Sequence, residues 1–370
     1  MASDDDLYTG WSRKPRGRVL VEGEALAGVV DVEVVNNSHF TADTFRVTVA
    51  ASALQAAWSP GVWSSIDGAD LAIAVGFEDA NGQVAEWFTL IEGQVDDVAL
   101  DLCGGTLSLT GRDYSARLLD NRTTEKWANL TSSEIARQLA KRRGLQAVVQ
   151  STTATAGHYY EIDHAHLTAA QTEWDVLTYL AEREGFDVWV SGQTLYFQPP
   201  PDPAGADVYP LTWRPAGPGN LPGSPLFIDI KLSRSLTLAK DVIVKVKSYH
   251  QMQEASFTVT VKAQNSTALQ RKGGEGQVYS FVVPNLNRDQ ALQWAKAKAE
   301  EITRHERVVS ADLPGDTGLT SRSIIRLMGT GTSWDQAYFP ESVERRLSVA
   351  EGFRQSLRAK NHSPQSMVIL

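Results

Sequence analysis

Hydrophobic and polar residues alternate with a period of two from Arg18 to Tyr114. Phe45, Val47 and Val49 alternate with polar neighbours, and Leu107 and Leu109 do the same within 106–110. Such a period sends successive side chains to opposite faces of a pleated strand and marks a half-buried sheet. Residues 71–77 form an apolar run of mostly small side chains, followed by Asp79-Ala80-Asn81-Gly82 and a second apolar segment at 87–91. Asn81-Gly82 signals a hairpin, since both residues accept the positive φ of a type I′ turn. Short polar turns and no long helical pattern predict a small β-barrel or sandwich over 18–119, preceded by an N-terminal arm over 1–17.

The period changes near Asp120. Thr131-Ser132-Ser133-Glu134 reads as a capping box, with Ile135, Leu139 and Ala140 on one face of the helix it opens and Gly144 as a left-handed stop. A second helix is signalled by Thr172 three residues before Asp175, with Leu177, Leu180 and Ala181 on one face and Gly185 as its stop. The segments starting at Leu139 and Leu180 share Leu, Ala, Arg, Gly and a final Val at an offset of 41 residues. Each copy reads as helix, glycine cap, strand, and neither buries its apolar face alone. The expected product is one α+β module over 120–198.

Proline then breaks the pattern. Pro199-Pro200-Pro201-Asp202-Pro203 is followed by Pro215, Pro218, Pro222 and Pro225 with glycines between, which reads as a linker over 199–226. Period two returns afterwards at Ile228, Ile230 and Leu232, at Val242, Val244 and Val246, and at Phe257, Val259 and Val261. One helix interrupts it at about 288–304, capped by Asn287 and striped by Leu292, Ala295, Ala299 and Ile302. Strands resume at 307–311, 323–328, 338–347 and 352–359, so 227–370 is expected to be a second β-barrel domain. The fold class is mainly β with an α+β insert.

Composition narrows the chemistry. In 370 residues 44 acidic side chains oppose 35 basic ones, for a formal net charge of −9. Gripping a phosphate backbone needs Lys and Arg to displace counterions, so specific nucleic-acid binding is not expected. No apolar run approaches the roughly 18 residues that cross a bilayer, and Met1 to Thr9 lack the basic and apolar regions of a secretion signal. Cys103 is the one cysteine, which rules out internal disulfides and cysteine-based zinc sites and points to a reducing compartment.

Candidate sites are few. His158, His164 and His166, with Glu161 and Asp163 between them, place ligand-type residues close together, yet the stretch reads better as a polar loop-to-strand segment. Gly273-Gly274-Glu275-Gly276 has no following lysine and sits between strands, so it reads as a turn. Asp96 and Asp97 read as a solvated strand end, and Cys103, with no basic neighbour, as an inert thiol. Trp87, Trp174, Trp189 and Trp294 lie in apolar patterns and read as core rather than as a carbohydrate platform. Lys141-Arg142-Arg143 closes a helix, where cations oppose the dipole favourably. Arg13, Lys14, Arg16 and Arg18 follow Asp4-Asp5-Asp6 as a basic arm that either docks on a neighbouring subunit or is a solvated terminus. No catalytic, cofactor-binding or metal-binding residue is assigned, and nothing argues for an enzyme.

Three segments together carry a family resemblance. Ile91-Glu92-Gly93-Gln94-Val95-Asp96-Asp97-Val98 leads into 107–119 with Gly111-Arg112-Asp113-Tyr114. Residues 172–197 contain Glu173-Trp174-Asp175, Tyr179-Leu180-Ala181, Gly185 and Leu195-Tyr196-Phe197. Residues 325–360 contain Gly329-Thr330-Gly331, Tyr338 and Gly352-Phe353. This pattern resembles the phage late control protein D family, the central baseplate hub of contractile tails, related to the hub part of type VI secretion spikes. The chain departs from the family at Arg345-Arg346, where a histidine is common, and at Gln336-Ala337, where a glycine is common before Tyr338.

The resemblance implies a homotrimer whose two barrels per copy form a pseudo-six-fold ring, with a LysM-like insert outside it. It implies contacts with a tail tube protein or tube-initiator ring, a separate spike protein, other baseplate proteins and a tape-measure protein. It places the chain in the tail baseplate of a virion assembled in the host cytoplasm, lining a channel for DNA passage. The acidic balance would suit a lumen that repels DNA. The alternative is a peptidoglycan-binding or cell-wall-degrading protein acting through the LysM-like module.

Overall fold

The alternation becomes a curved sheet with one buried face. The computed structural model describes residues 14–38, 40–79, 81–125, 127, 129–153, 171–200, 208–215, 227–235, 242–250, 255–265, 277–284, 286–304, 307–361 and 366–369. Strands β1 (Lys14–Val21), β2 (Glu24–Ala25), β3 (Val29–Asn37), β4 (Thr44–Ala50), β5 (Asp70–Glu78), β6 (Phe88–Asp101) and β7 (Thr106–Asp113) make the first barrel. Val21, Val34, Val47, Val49 and Leu109 are fully buried, and Trp58 and Trp63, from the 51–69 connection, plug the same core. In the hairpin near Asn81-Gly82, Gly82 has the expected positive φ of 78°. The first strand starts earlier than the alternation suggested. Lys14, Arg16 and Arg18 lie inside β1, paired along β5, so the basic stretch is strand rather than arm.

The insert follows the repeat. Helix α1 (Ser132–Arg142) leads to β9 (Gln146–Val149), and α2 (Glu173–Glu184) leads to β11 (Asp187–Ser191). Thr131 with Glu134, and Thr172 with Asp175, form reciprocal capping boxes. Gly144 and Gly185 take positive φ values of 70° and 69°. Strand β12 (Thr194–Gln198) lies between the two repeat strands, antiparallel to β11 and parallel to β9. The copies are not equivalent in burial: Val188 is buried, whereas its counterpart Ala147 on β9 is exposed. Short strands β8 (Arg122–Thr123) and β10 (Gln171–Thr172) pair at the base of the module.

The region after the insert divides differently from the expectation. A strand, β13 (Val208–Thr212), falls inside the stretch read as linker and pairs in parallel with β19 (Ile324–Met328). The second barrel also uses β14 (Asp229–Arg234), β18 (Arg307–Pro314), β20 (Ala337–Ser348) and β21 (Gly352–Asn361) around a core of Leu211, Val309, Leu327, Tyr338, Val343 and Leu357. Strands β15 (Val242–His250), β16 (Ala255–Asn265), β17 (Gln277–Val282) and β22 (Ser366–Ile369) are not part of that barrel. They form a separate four-stranded sheet in the order β17-β15-β16-β22. Helix α3 (Arg288–Arg304) packs on one face of it, burying Ala291, Ala295 and Ala299 against Val244, Val246 and Val261. Asn287 caps α3 as expected, its Oδ1 accepting from the Gln290 amide at 2.8 Å. Four hydrophobic residues spaced for a helix cannot say which sheet they will cover, so the sequence merged this unit with the barrel.

The two barrels are one sheet. Its strand order is β14-β18-β21-β20-β3-β4-β7-β6-β5-β1-β2, with β19 and β13 joined to β20. Strand β20 pairs with β21 along its whole length, with β19 at Ala337 and Tyr338, and with β3 from Ser342 to Ser348. The switch between partners falls at a bulge between Pro340 and Ser342. Proline lacks the amide that a ladder requires, and a bulge adds the residue that re-aims the strand. Glu341, the bulged residue, is clamped by Lys360 at 2.5 Å and Arg358 at 2.8 Å.

Inserting one alanine between Ser342 and Val343 is expected to invert the faces of Val343–Ser348, throwing Val343 and Leu347 out of their cores. Urea unfolding should then lose its single cooperative transition, whereas Glu341→Gln should keep it. Gly111→Ala is expected to cost about 1–3 kcal/mol in the same measurement, because a Cβ there would overlap the Gln94 carbonyl and the Phe45 ring.

Candidate functional site

The barrels and the insert meet around a polar cavity of about 340 Å³. Barrel one contributes Asn36 and Asp43, the insert Trp174 and Trp189, and barrel two Arg322 and Arg345. The segment between β3 and β4 and the segment between β18 and β19 converge there, because β3 and β20 are paired beside them. Arg345, on the buried face of β20, donates from Nη1 to Asn36 Oδ1 and from Nη2 to the Leu319 carbonyl. Asn36 in turn donates from Nδ2 to Asp43 Oδ2 at 2.7 Å and to the Leu90 carbonyl at 3.2 Å. The Asn37 amide donates to the other oxygen of Asp43 at 2.7 Å.

One side chain touches all three parts. Arg322 of barrel two donates to the Ser38 carbonyl of barrel one at 2.8 Å. Its guanidinium lies 4.6 Å from the centre of the Trp189 ring and 3.8 Å from Asp187 Oδ2, both in the insert. Trp189 also stacks on Tyr196 with ring centres 4.9 Å apart, so it is engaged by protein groups. Trp174 closes the third side, its Nε1 donating to the Phe40 carbonyl at 2.7 Å. Each such bond is worth only about 1 kcal/mol net, but leaving its buried partner unpaired would cost more.

Burial disturbs the charges at this junction. Asp113, at the end of β7, is pushed up to about 7, first by desolvation and then by the nearby Asp43 charge. The Ser115 hydroxyl and amide, both donating to it, only partly offset this. Burial also raises Asp43, against the hydrogen bonds from Asn36 and Asn37 and the charges of Arg322 and Arg345. Desolvation pulls Arg345 down to about 10. Two carboxyls therefore share a buried site with two guanidiniums that are already committed to other acceptors.

A second buried charge holds the insert together. Glu173, at the first turn of α2, is almost wholly enclosed and takes a two-pronged bond from Arg143, at 2.6 Å and 2.7 Å. Arg142 adds a contact at 3.3 Å. The basic run read as a helix end is thus a clamp between the two repeat copies. Two cations of β1 are also engaged within the chain: Arg16 lies 2.5 Å from Glu78, and Arg18 sits 4.5 Å from the Trp87 ring centre.

The remaining sequence candidates divide simply. His158, His164, His166, Glu161, Asp163 and the 273–276 turn lie outside the described residues, as does Arg13. Among the described residues no three His, Cys, Asp or Glu side chains are grouped to hold a metal ion. Asp96 pairs with Arg112 at 2.7 Å, and Cys103 is an exposed thiol at the β6–β7 turn. Trp174 is core, Trp294 packs edge-on to Phe281, and Trp87 and Trp189 are surface-side partners of arginines. Sequence reasoning missed Asn36, Asp43, Arg322 and the pairing of Arg345. Asp113 and Arg345 stand in the segments that carried the family resemblance, but nothing local indicated that they would meet.

No protein-family model matches the chain, and no curated protein matches it. Solved structures do. The chain resembles the tail protein from Neisseria meningitidis MC58 with a TM-score of 0.68 and 15% identity, covering 95% of this chain and 99% of that one. It resembles the 43 kDa tail protein of prophage MuSo2 from Shewanella oneidensis with a TM-score of 0.60 and 13% identity, covering 96% and 100%. An Escherichia coli type VI secretion component, the c3393 protein, described as similar to bacteriophage T4 tail proteins gp27 and gp5, aligns with a TM-score of 0.56 and 10% identity over 95% and 79%. Phage tail proteins and type VI secretion components are the group that the sequence resemblance named, and the chain has their fold.

The junction yields a pH prediction. An acid with a raised pKa binds more protons folded than unfolded, so stability falls as pH rises from 3.8 to about 7 and levels off above. Asp113→Asn should therefore raise the midpoint of thermal unfolding at pH 8 and flatten its slope between pH 4 and 8. Arg143→Ala should cost about 3 kcal/mol, at the low end for a broken buried pair because Arg142 stays beside Glu173.

Proposed function

We propose that this chain is a structural hub protein of a phage or phage-like tail baseplate. Three copies form a ring that joins the tail tube to a central spike carried by a separate protein, and the ring leaves a channel through which DNA passes. Other baseplate proteins and the tape-measure protein are its further neighbours, and the reading assigns it no catalytic residue or cofactor. The observation that carries it is the continuous sheet: two similar barrels are locked side by side through β20 and β3, giving each copy two wall segments. Three copies then supply six segments to a six-fold tube while offering three-fold symmetry to a spike. The likeness to tail proteins over nearly the whole chain supports the same reading.

The strand order also supports lateral assembly. Strand β2 covers β1 only at Leu20 and Val21, and β14 pairs on one side only among the described residues. Among the described residues the sheet therefore has edges at β1, at β14 and at β13, which pairs only with β19, and unpaired edges are templates for another strand. Pro15 and the charged side chains of β1 and β14 restrict which strand can pair there. A closed ring would remove two of these edges by joining β1 of one copy to β14 of the next.

Purified chain viewed by negative-stain electron microscopy should show three-fold rings with a central hole, and light scattering should give three times the 40.5 kDa chain mass. Two-fold or asymmetric particles, alone and with tube protein present, would overturn the reading. Acidic side chains are expected to face the hole; a Lys/Arg-rich channel in a map of the ring would contradict that part.

A further inference from the structure

The four-stranded sheet has one face covered by α3 and another that is open among the described residues. Pairing register places Ile243, Lys262 and Val278 in one row of the open face, Lys245, Thr260 and Ser280 in the next, and Lys247, Thr258 and Val282 in a third. Val278 is 52% exposed and Val282 77% exposed, and Tyr249 extends the same face at 49%. The three lysines are exposed, and no carboxylate stands in those rows. In a chain of net charge −9, this is a basic face with apolar side chains set among the cations. Water would solvate lysines alone without difficulty; the exposed valines and tyrosine beside them ask for a protein partner.

The complementary sequence is in this chain. Ahead of β1 stand Asp4-Asp5-Asp6-Leu7-Tyr8 and Trp11, three carboxylates followed by three large apolar side chains. With Lys14, Arg16 and Arg18 taken up in β1, the segment before Lys14 keeps one arginine against three aspartates. Residues 4–13 reach about 33 Å when extended. The ring reading says which copy they reach. They leave from β1, at one end of the eleven-strand path, while the basic sheet is inserted between β14 and β18 at the other end. In a ring that sets β1 of one copy beside β14 of the next, the segment arrives at its neighbour's basic sheet.

We propose that residues 4–11 dock on the open face of the β17-β15-β16 sheet of the neighbouring copy, Asp4, Asp5 and Asp6 against Lys245, Lys247 and Lys262, and Leu7, Tyr8 and Trp11 against Val278, Val282 and Tyr249. The choice of neighbour rests on the ring reading above. Exchange of an extended arm ties each copy to the next without enlarging the barrels, and the charged part of the contact weakens with salt.

Zero-length carbodiimide cross-linking of the intact chain tests this. Light and nitrogen-15-labelled chains are dissociated, mixed in equal amounts, reassembled and cross-linked, and the linked peptides are read by mass spectrometry. The expected result is amide links from Asp4, Asp5 or Asp6 to the three lysines, about half of them between a light and a heavy chain. Asp4→Asn/Asp5→Asn/Asp6→Asn should abolish them without moving the thermal unfolding midpoint. Lys245→Glu/Lys247→Glu/Lys262→Glu should weaken assembly at least tenfold, and adding Asp4→Lys/Asp5→Lys/Asp6→Lys to the same chain should restore it. Links within single chains only, links from these lysines to other carboxylates, or no links at all would overturn the proposal. Symmetry is a separate readout: three-fold rings with no such links leave the hub reading standing, and links between copies without three-fold particles leave the arm exchange and remove the hub.

Discussion

Twelve residues, Ala337–Ser348, hydrogen-bond into both barrels, and the register of each barrel hangs on that strand. A strand has two edges, and β20 gives one wholly to β21 while dividing the other between β19 and β3. The division requires a change of direction, which Pro340 and the bulged Glu341 supply. Because side chains alternate at period two, the residues beyond the bulge are assigned to their faces by that single insertion. Val343 then enters the second core, Leu347 packs on the first, and Arg345 points between them. A hinge at this place would have two weakly coupled barrels; a continuous ladder makes the pair behave as one wall.

The polar junction follows from the same geometry. Once β3 and β20 are paired, the loops at their ends are pressed together, and backbone carbonyls at Ser38, Phe40 and Leu319 lose water. Arg322, Trp174 and Arg345 replace it. Burying these charges is costly in itself, as the displacement of Asp113 and Arg345 from their ordinary pKa values shows. What the network contributes is directional: each donor has an acceptor on a different part of the chain, so only one arrangement of barrels and insert satisfies them all. The insert is thereby fixed against the barrels, and its core itself takes in Tyr114 and Leu118 from the end of the first barrel, with Phe40 packed against it.

This organisation separates roles along the chain. The barrels offer edges at β1 and β14, the insert covers one side of their junction, and the α3-backed sheet presents a basic face away from its helix. Proline and charge on the edge strands, together with a lysine-studded open sheet, discourage indiscriminate pairing while leaving surfaces that a matching neighbour can use.

Much of this could be read directly. Period-two runs at Phe45–Val47–Val49 and Leu107–Leu109 announced strands, and Thr131-x-x-Glu134 and Gly185 marked helix ends, because alternation and capping depend on residues a few positions apart. The repeat at Leu139 and Leu180 likewise foretold two helix–strand units. Other readings needed partners far away in sequence. Val208–Thr212 has a proline and a linker's neighbours, and only β19 makes it a strand. The strands from Val242 to Val282 alternate just as barrel strands do, and only α3 draws them into a separate sheet. Arg345 and Asn36 stand 309 positions apart, yet share a hydrogen bond. The sequence by itself determined element type, helix limits and the repeat, since these are local properties of the backbone and its nearest side chains. Tertiary structure alone decided which strand joins which sheet, where the barrels fuse and which charges are buried, since those depend on register and desolvation between segments that no local pattern brings together.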